Sequence, residues 1–384
     1  MPMRRVIKVG TSLLRGCPDR STAAVIADLA ASFSRQRRQG DAMALVTSGA
    51  VGLGCEVLGL ARRPEELQAL QAAAAIGQGR LMALYEQAFA VRGLKVAQVL
   101  LTRGDLASRR RYQRACRTLA QLLEWGVVPI VNENDTLATD ELRFGDNDTL
   151  SALVAVAVEA HELVLLTDVD RLYSGDPRLD SNAEPIEEVR DLAELERLRH
   201  VAGDGGRWGT GGMTTKLSAA RIATSSGIRV RLADGRDPAV LEALLAGERV
   251  GTVFLPSSRP LPNRKGWLAH ALLPKGTLEI DAGAARALEQ QGASLLAVGI
   301  RRVEGDFSRH EPVRLIDAAG REVGRGLSLL SSEDLLPLQG LSREDLRQRL
   351  GAGGQVVVHR DQLVLARHAL AETPGPEAGI PAPS

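Results

Sequence analysis

The chain has 384 residues, of which 44% are hydrophobic and 25% charged. This composition is typical of a soluble globular protein and excludes a wholly disordered, collagen-like or coiled-coil chain, and the length suits two or three domains. The 48 Lys and Arg residues balance 47 Asp and Glu residues, so no overall field recruits nucleic acid or an anionic membrane.

The cysteines and the apolar runs indicate the cellular compartment. Cys17, Cys55 and Cys116 are odd in number and form no C-x-x-C pair, which argues against a disulfide framework or a zinc site and suits a reducing cytosol. The longest apolar run, Ala152–Val158, is far shorter than the roughly 20 residues of a membrane span. The first residues contain no apolar segment of the kind found in signal peptides. We therefore predict a cytoplasmic protein without membrane contact.

The first two thirds of the chain alternate short apolar runs with longer helical patterns. Strands are predicted at Arg5–Val9, Ala42–Val46, Val96–Leu101, Val127–Val131, Leu163–Leu166 and Ile228–Leu232. Helices are predicted at Thr22–Arg38, Pro64–Arg92, Arg109–Trp125 and Thr149–Ala160. This alternation predicts an α/β fold, a three-layer αβα sandwich with a mainly parallel sheet. Ligands of such sheets bind beyond the carboxyl ends of the strands.

The pattern changes near residue 256, where three prolines punctuate a polar stretch. The short β-runs Thr277–Ile280, Val313–Ile316 and Gln355–His359 then predict a small β-rich second domain. The end of the chain is rich in Pro, Gly and Ala without apolar periodicity, which predicts disorder. The predicted boundaries are a first domain at 1–258, a linker at 259–271, a second domain at 272–368 with its core at 275–352, and a tail at 369–384.

Two glycine- and threonine-rich turns hold two of the few lysines. Only five of the 48 basic residues are lysine: Lys8, Lys95, Lys216, Lys265 and Lys275. Lys8 is the next-to-last residue of the first predicted strand, just before Val-Gly-Thr-Ser, and Lys216 ends the segment GTGGMTTK, which opens a helix. Free N–H groups at a helix start bind phosphate, and a compact ammonium group reaches between phosphate oxygens where a planar guanidinium is too wide. A plain turn at Lys8 and a coding bias towards arginine are the alternatives.

Polar clusters follow the second and fourth predicted strands. The segment TSGAVGLG is either a structural turn into a helix or a backbone nest for a carboxylate, with Ser48 as an added donor. Seven amide or carboxylate side chains lie in the two segments 132–135 and 146–148. They are either turn formers or a polar site that holds a zwitterion.

These segments together resemble a known family. VIKVGTSLL, VTSGAVGLG, VVPIVNENDT, FGDNDTLSALVA, LVLLTDVDRLYSGDPR and GTGGMTTKLSAA, in this order, are similar to the glutamate 5-kinases, enzymes of the amino acid kinase fold, over residues 4–255. Residues 275–352 look like a PUA domain. The resemblance implies that ATP phosphorylates the γ-carboxylate of L-glutamate to L-glutamyl 5-phosphate, the first step of proline biosynthesis.

The resemblance also assigns roles to individual residues. It implies that Lys8 and Lys216 are catalytic and bridge the transferring phosphoryl group, while Asp148 holds both ammonium groups. The implied substrate-binding residues are Ser48, Gly49, Asn132, Asp135 and Asn147. The implied ATP-binding residues are Lys8, Thr167, Asp168, Thr210, Gly211, Gly212, Met213, Thr214, Thr215 and Lys216. Mg²⁺ would accompany ATP, and no protein side chain is predicted as a metal ligand.

The resemblance further implies proline as a feedback inhibitor, a homo-oligomer, and glutamyl phosphate reductase as a partner. Two alternatives differ in class: another small-carboxylate kinase of the same fold, and an RNA-binding protein that acts through the PUA-like domain. Residues 271–354 carry 11 Lys and Arg against 12 Asp and Glu. Because RNA-binding domains carry a basic patch, we do not expect RNA as a partner.

Overall fold

A computed structural model of the chain forms two compact units, Met1–Arg190 with Leu198–Leu273, and Asp191–Arg197 with Pro274–Ser384. The structure describes residues 2–15, 20–137, 147–177, 180–203, 212–258, 260, 274–339, 341, 343–350 and 356–366.

The strands up to residue 254 are β1 Arg4–Val9, β2 Ala42–Val46, β3 Val96–Leu101, β4 Val128–Glu133, β5 Glu162–Thr167, β6 Leu172–Tyr173, β7 Pro185–Ile186, β8 Glu188–Val189, β9 Arg229–Asp234 and β10 Thr252–Phe254. The helices up to residue 245 are α1 Thr11–Leu14, α2 Thr22–Arg38, α3 Ala50–Val57, α4 Leu67–Val91, α5 Arg103–Ala107, α6 Arg109–Glu124, α7 Asn147–Ala157, α8 Leu192–Gly203, α9 Gly212–Ser225 and α10 Pro238–Leu245.

The large sheet has the strand order β3-β4-β2-β1-β5-β9-β10-β8. Its neighbours pair in parallel except β9 and β10, which are antiparallel. The predicted mainly parallel sheet is therefore confirmed. Because β4, β2, β1 and β5 are adjacent and run the same way, their carboxyl ends meet at one edge.

The two faces of this sheet pack against different helices. Ile7 and Val9 of β1 belong to an apolar core with residues of α2, α4 and α10. Side chains alternate along a strand, so Lys8 points to the opposite face, where α7 contacts β1. The helices α6 and α9 also pack against α7. This alternation places the amine of Lys8 beside the start of α7.

Two elements extend further into the polar segments than predicted. The fourth strand continues to Glu133, so Asn132 and Glu133 are strand residues and not part of the turn after it. Helix α7 begins at Asn147 and ends at Ala157, although the sequence pattern predicts Thr149–Ala160. Asn and Asp usually mark turns because they bond to their own backbone. Here Asn147 and Asp148 instead bond to other parts of the chain.

Helices α3 and α4 approach each other through glycine. A Cβ atom on Gly77 would lie 1.8 Å from the carbonyl oxygen of Ala50, and one on Gly54 would lie 1.8 Å from that of Ala73. The start of α3 also needs glycine, because Gly49 has a φ of 98°, a conformation that other residues rarely adopt. Gly49 of TSGAVGLG thus serves helix entry, and Gly54 serves helix packing.

We expect Gly77→Ala to destabilise the protein by about 3 kcal/mol, because the helices must separate to admit the methyl group. The matched control is Gly79→Ala on the same helix, where a Cβ atom meets nothing within 4 Å. That change should be neutral or stabilise by about 0.5–1 kcal/mol, since alanine is the better helix former. Urea unfolding of both variants measures the difference. Equal stabilities of the two variants would contradict the close packing.

The second unit contains a separate sheet with the order β12-β16-β15-β14-β11-β13. Its strands are β11 Gly276–Ile280, β12 Leu295–Leu296, β13 Ile300–Gly305, β14 Pro312–Ile316, β15 Glu322–Ser328 and β16 Val356–Leu365. Its helices are Ala282–Gln291, Ser332–Leu335 and Arg343–Leu350, with 3₁₀ turns at Ala297–Gly299 and Leu336–Leu338. Buried residues from these strands and helices form its own apolar core. The predicted β-rich second domain is confirmed, although its last strand is longer than predicted.

Within the described ranges, every helix is too short or too polar to cross a membrane.

Candidate active site

A cavity of about 520 Å³ opens at the carboxyl edge of the parallel strands. The ends of β1, β2, β4 and β5 and the starts of α3, α7 and α9 contribute to its wall. It brings together these predicted site residues: Lys8, Ser48, Gly49, Asn132, Asp135, Asn147, Asp148, Thr167, Asp168, Gly212 and Lys216. Residues far apart in the chain thus meet where the fold class places a ligand.

A buried carboxylate lies between two lysines in the wall of the cavity. Lys8 Nζ forms an ion pair with Asp148 Oδ1, and Lys216 Nζ lies 3.1 Å from Asp148 Oδ2. Thr215 Oγ1 donates to the same Oδ2 atom at 3.1 Å, and Lys216 Nζ also donates to the Gly212 carbonyl oxygen at 3.1 Å. Asp148 is fully buried and Lys8 nearly so. One negative charge therefore fixes the positions of two positive charges.

The charge state of Asp148 follows from these contacts. Burial by itself would raise the pKa of the Asp148 carboxyl, but Lys8 and Lys216 outweigh burial and hold that pKa below its usual range. Its place in the first turn of α7 also favours a negative charge through the helix dipole. Asp148 is thus ionised at neutral pH, and the group of three carries a net charge of +1.

An amide cluster forms the wall next to the lysines. Asn147 Nδ2 lies 2.6 Å from the Thr47 carbonyl oxygen, 2.9 Å from Ser48 Oγ and 2.9 Å from Asn132 Oδ1. Its two amide hydrogens are shared among these three acceptors. Asn132 and Asn147 are buried. Asp135 lines the same cavity two residues after β4. The predicted substrate residues therefore lie together, on the side of β1 where β2 and β4 end.

The predicted nucleotide residues lie mainly on the other side of β1. Thr167 ends β5 and donates its hydroxyl to Asp168 Oδ1 at 3.1 Å, and both residues line the cavity with Gly212. Met213 and Thr214 lie in the first turn of α9, where Ser218 donates to the Thr214 carbonyl oxygen. Thr210 and Gly211 lie outside the described residues. Binding of ATP by this group stays a prediction.

Helix α4 contributes residues that the sequence patterns do not indicate. Gln78 Oε1 accepts from Asn132 Nδ2 at 2.8 Å, and the Tyr85 hydroxyl lies 2.8 Å from Thr47 Oγ1. Burial raises the pKa of Tyr85, and its bond with Thr47 offsets only part of that rise, so the phenol stays neutral. Their spacing of seven residues places both on one face of the helix. Nothing near them in the sequence marks a strand end or a turn.

Divalent cations prefer oxygen ligands, yet the described residues contain no group of three or more His, Cys, Asp or Glu side chains that could hold a metal ion. Asp148 is occupied by the two lysines, whereas the exposed carboxylate of Asp168 lines the cavity. These carboxylates suit a divalent cation that binds together with nucleotide phosphates better than a cation that the protein binds by itself.

Comparison with known proteins agrees with this geometry. Residues 3–234 match the amino acid kinase family, and residues 276–350 match the PUA domain. The chain is 61% identical to a glutamate 5-kinase of Synechococcus sp. (strain CC9605) over 94% of this chain and 98% of the relative. It is 61% identical to that of Prochlorococcus marinus (strain MIT 9313), with the same coverage. The identity to that of Synechococcus elongatus (strain ATCC 33912 / PCC 7942 / FACHB-805) is 52%, over 94% of this chain and 99% of the relative.

Proposed function

Because the chain belongs to the glutamate 5-kinases of the amino acid kinase family, we propose that it transfers the γ-phosphoryl group of ATP to the γ-carboxylate of L-glutamate. The carboxylate oxygen forms a bond to the γ-phosphorus, the bond from that phosphorus to the ADP oxygen breaks, and ADP and L-glutamyl 5-phosphate leave. The observation that carries this proposal is Asp148 between Lys8 and Lys216 in a cavity with an amide-rich wall.

Charge neutralisation is the main task of this site. The γ-carboxylate has a reference pKa of about 4.3 and is already ionised at neutral pH, so no general base is needed. Two anions about 4 Å apart repel by ~4 kcal/mol at an effective dielectric constant near 20. The amines of Lys8 and Lys216, held by Asp148, offset this repulsion where the two substrates meet. Phosphoryl transfer depends mainly on such positioning and electrostatic stabilisation.

The two sides of the cavity suit the two substrates. We propose that Ser48, Gly49, Asn132, Asp135 and Asn147 bind glutamate, since carboxylate and amide groups match an ammonium and a carboxylate. The residues Thr167, Asp168 and the stretch 210–216 would bind ATP, with Mg²⁺ on its phosphates. When bound, Mg²⁺ neutralises charge on the phosphates. Lys8 lies on β1, between the two sides.

A coupled assay tests the proposed reaction. ADP release should depend on L-glutamate, ATP and Mg²⁺, and hydroxylamine should trap the acyl phosphate as a hydroxamate. Aspartate, N-acetylglutamate and carbamate, the substrates of other small-carboxylate kinases of this fold, should give no comparable turnover. A preference for any of these three would overturn the choice of glutamate. Added proline should slow the reaction if the family's feedback inhibition extends to this chain.

Substitutions on opposite sides of the cavity should each raise the KM for a different one of the two substrates. We expect Asp135→Ala to raise the KM for glutamate about tenfold or more, since an unpaired ammonium in a desolvated pocket costs roughly 1–3 kcal/mol. The KM for ATP should change little. Asp168→Ala, on the nucleotide side, should show the opposite pattern. Initial-rate kinetics with each substrate varied in turn measure both, and equal changes of the two KM values in Asp135→Ala would contradict its assignment.

We also propose a cytoplasmic homo-oligomer, with glutamyl phosphate reductase as the enzyme that takes up the labile product. We propose the domain boundaries 1–258 and 272–368, with 259–271 as linker and 369–384 as tail. The two compact units and the ranges of the family matches support this division. The predicted tail and almost all of the predicted linker lie outside the described residues.

A further inference from the structure

One glycine of α3 is required neither by the backbone nor by the packing of the helix. Gly52 is the third residue of α3 and does not adopt a positive φ. A Cβ atom on Gly52 would meet no atom of the described residues within 4 Å, whereas Gly49 has a positive φ and Gly54 touches α4. Glycine is a poorer helix former than alanine. Gly52 therefore weakens α3 without a gain in packing.

The open space beside Gly52 belongs to the cavity. Gly52 lines the cavity and is half-buried. It follows Gly49 by three residues, which advance a helix by about 4.5 Å and keep both positions on one face. Gly52 thus lies beside Ser48 and Gly49, on the side proposed to bind glutamate. The cavity continues past it to Glu56 and Arg63, so Gly52 is inside the wall and not at the rim.

A second glycine shows the contrast with an ordinary exposed position. Gly79 on α4 also has no described atom within 4 Å of a Cβ atom. Gly79 is exposed and does not line the cavity, so the space beside it is solvent. A side chain added at Gly79 would extend into water, whereas one added at Gly52 would extend into the cavity. The two glycines form a matched pair for substitution.

We infer that Gly52 is a specificity-determining residue, which lacks a side chain so that the acceptor amino acid has room against α3. A large side chain at this position would occupy the space next to Ser48 and Gly49. The predicted nucleotide residues Thr167 and Asp168 follow β5, across β1 from β2 and α3, so ATP should be unaffected. The inference rests on the proposed binding of glutamate on the α3 side.

The test compares full-length wild type with Gly52→Ala, Gly52→Leu and the control Gly79→Leu. The melting temperatures of all three variants should equal or exceed that of the wild type, because the added atoms meet no described residue and both new residues are better helix formers. The KM for glutamate should rise less than about threefold in Gly52→Ala and about tenfold or more in Gly52→Leu. The KM for ATP should stay within about twofold. Gly79→Leu should leave both KM values unchanged.

The outcomes separate this inference from the proposed function. A wild type that turns over glutamate, together with a Gly52→Leu variant of unchanged KM for glutamate, would overturn the role of Gly52 alone. Equal rises of both KM values would also overturn it. A Gly52→Leu variant that melts earlier than the wild type, or does not fold, would overturn it too, since the space would then be needed by the fold. A wild type without glutamate-dependent turnover would overturn the proposed function itself.

Discussion

The variant Lys216→Arg should lose turnover by a factor of about 10²–10³ while it remains folded. The Lys216 amine lies 3.1 Å from both Asp148 Oδ2 and the Gly212 carbonyl oxygen, a position suited to a compact ammonium group. A guanidinium is planar and wider, and it presents its hydrogens in a fixed fork. Its charge would be displaced from the transferring phosphoryl group. The expected factor is that of removing one preorganised group that stabilises a transition state.

Lys95→Arg is the matched control for this change. Lys95 is exposed and does not line the cavity, so its replacement should leave kcat unchanged. Measurement of kcat for both variants, with circular dichroism to establish that they fold, tests whether position 216 requires lysine. A Lys216→Arg enzyme with nearly normal kcat would show that any positive charge suffices here and that the site does not require a lysine.

The second large effect concerns Asp148. In Asp148→Asn, Lys8 and Lys216 lose the one carboxylate that lies between them. Because removal of one partner leaves buried charge uncompensated, we expect a loss of about 3 kcal/mol in the free energy of unfolding at neutral pH. Asp170→Asn removes a carboxylate from an exposed ion pair and should change stability by less than about 0.5 kcal/mol.

The loss of stability in Asp148→Asn should become smaller as the pH falls. The two lysines, acting against burial, lower the pKa of Asp148 in the folded protein. Its stabilising contribution is therefore complete above the ordinary Asp pKa of about 3.9 and is lost as pH falls through the folded-state pKa. Urea unfolding between neutral pH and about pH 3 should show the gap between wild type and Asp148→Asn closing on acidification. A stability difference that widens on acidification would mean that the lysines do not lower the pKa of the Asp148 carboxyl.

The sequence predicts the parallel sheet and the convergence of residues near its strand ends because the relevant patterns are local, whereas the contact of Asp148 with both lysines is implied only by the family resemblance. Strands covered on both faces are apolar throughout, and β1, β2, β3 and β5 lie within one residue of their predicted ends. Lys8, Asn132 and Thr167 each lie at or next to the end of one of the parallel strands β1, β4 and β5, so their convergence follows from the topology.

Gln78 could not be found in this way. It lies in the middle of α4, 54 residues before Asn132, and reaches the site only because Gly54 and Gly77 let α3 and α4 pack closely. Such an approach is a property of tertiary packing, and a helical pattern of alanine and glycine does not specify it. The extra residues of β4 and the early start of α7 were missed for a related reason. Their polar side chains are bound within the site instead of forming turns.

The most direct test follows an oxygen atom through the reaction. The enzyme is supplied with ATP and with glutamate carrying ¹⁸O in both γ-carboxylate oxygens, and hydroxylamine is added to intercept the product. If the γ-carboxylate attacks the γ-phosphorus, the bridging oxygen of the acyl phosphate comes from glutamate. Hydroxylamine attacks the acyl carbon and releases that oxygen with phosphate. Phosphorus NMR should then show one ¹⁸O in each inorganic phosphate released. Unlabelled phosphate would show that water had attacked ATP, and would contradict a site built to join a carboxylate to a phosphoryl group.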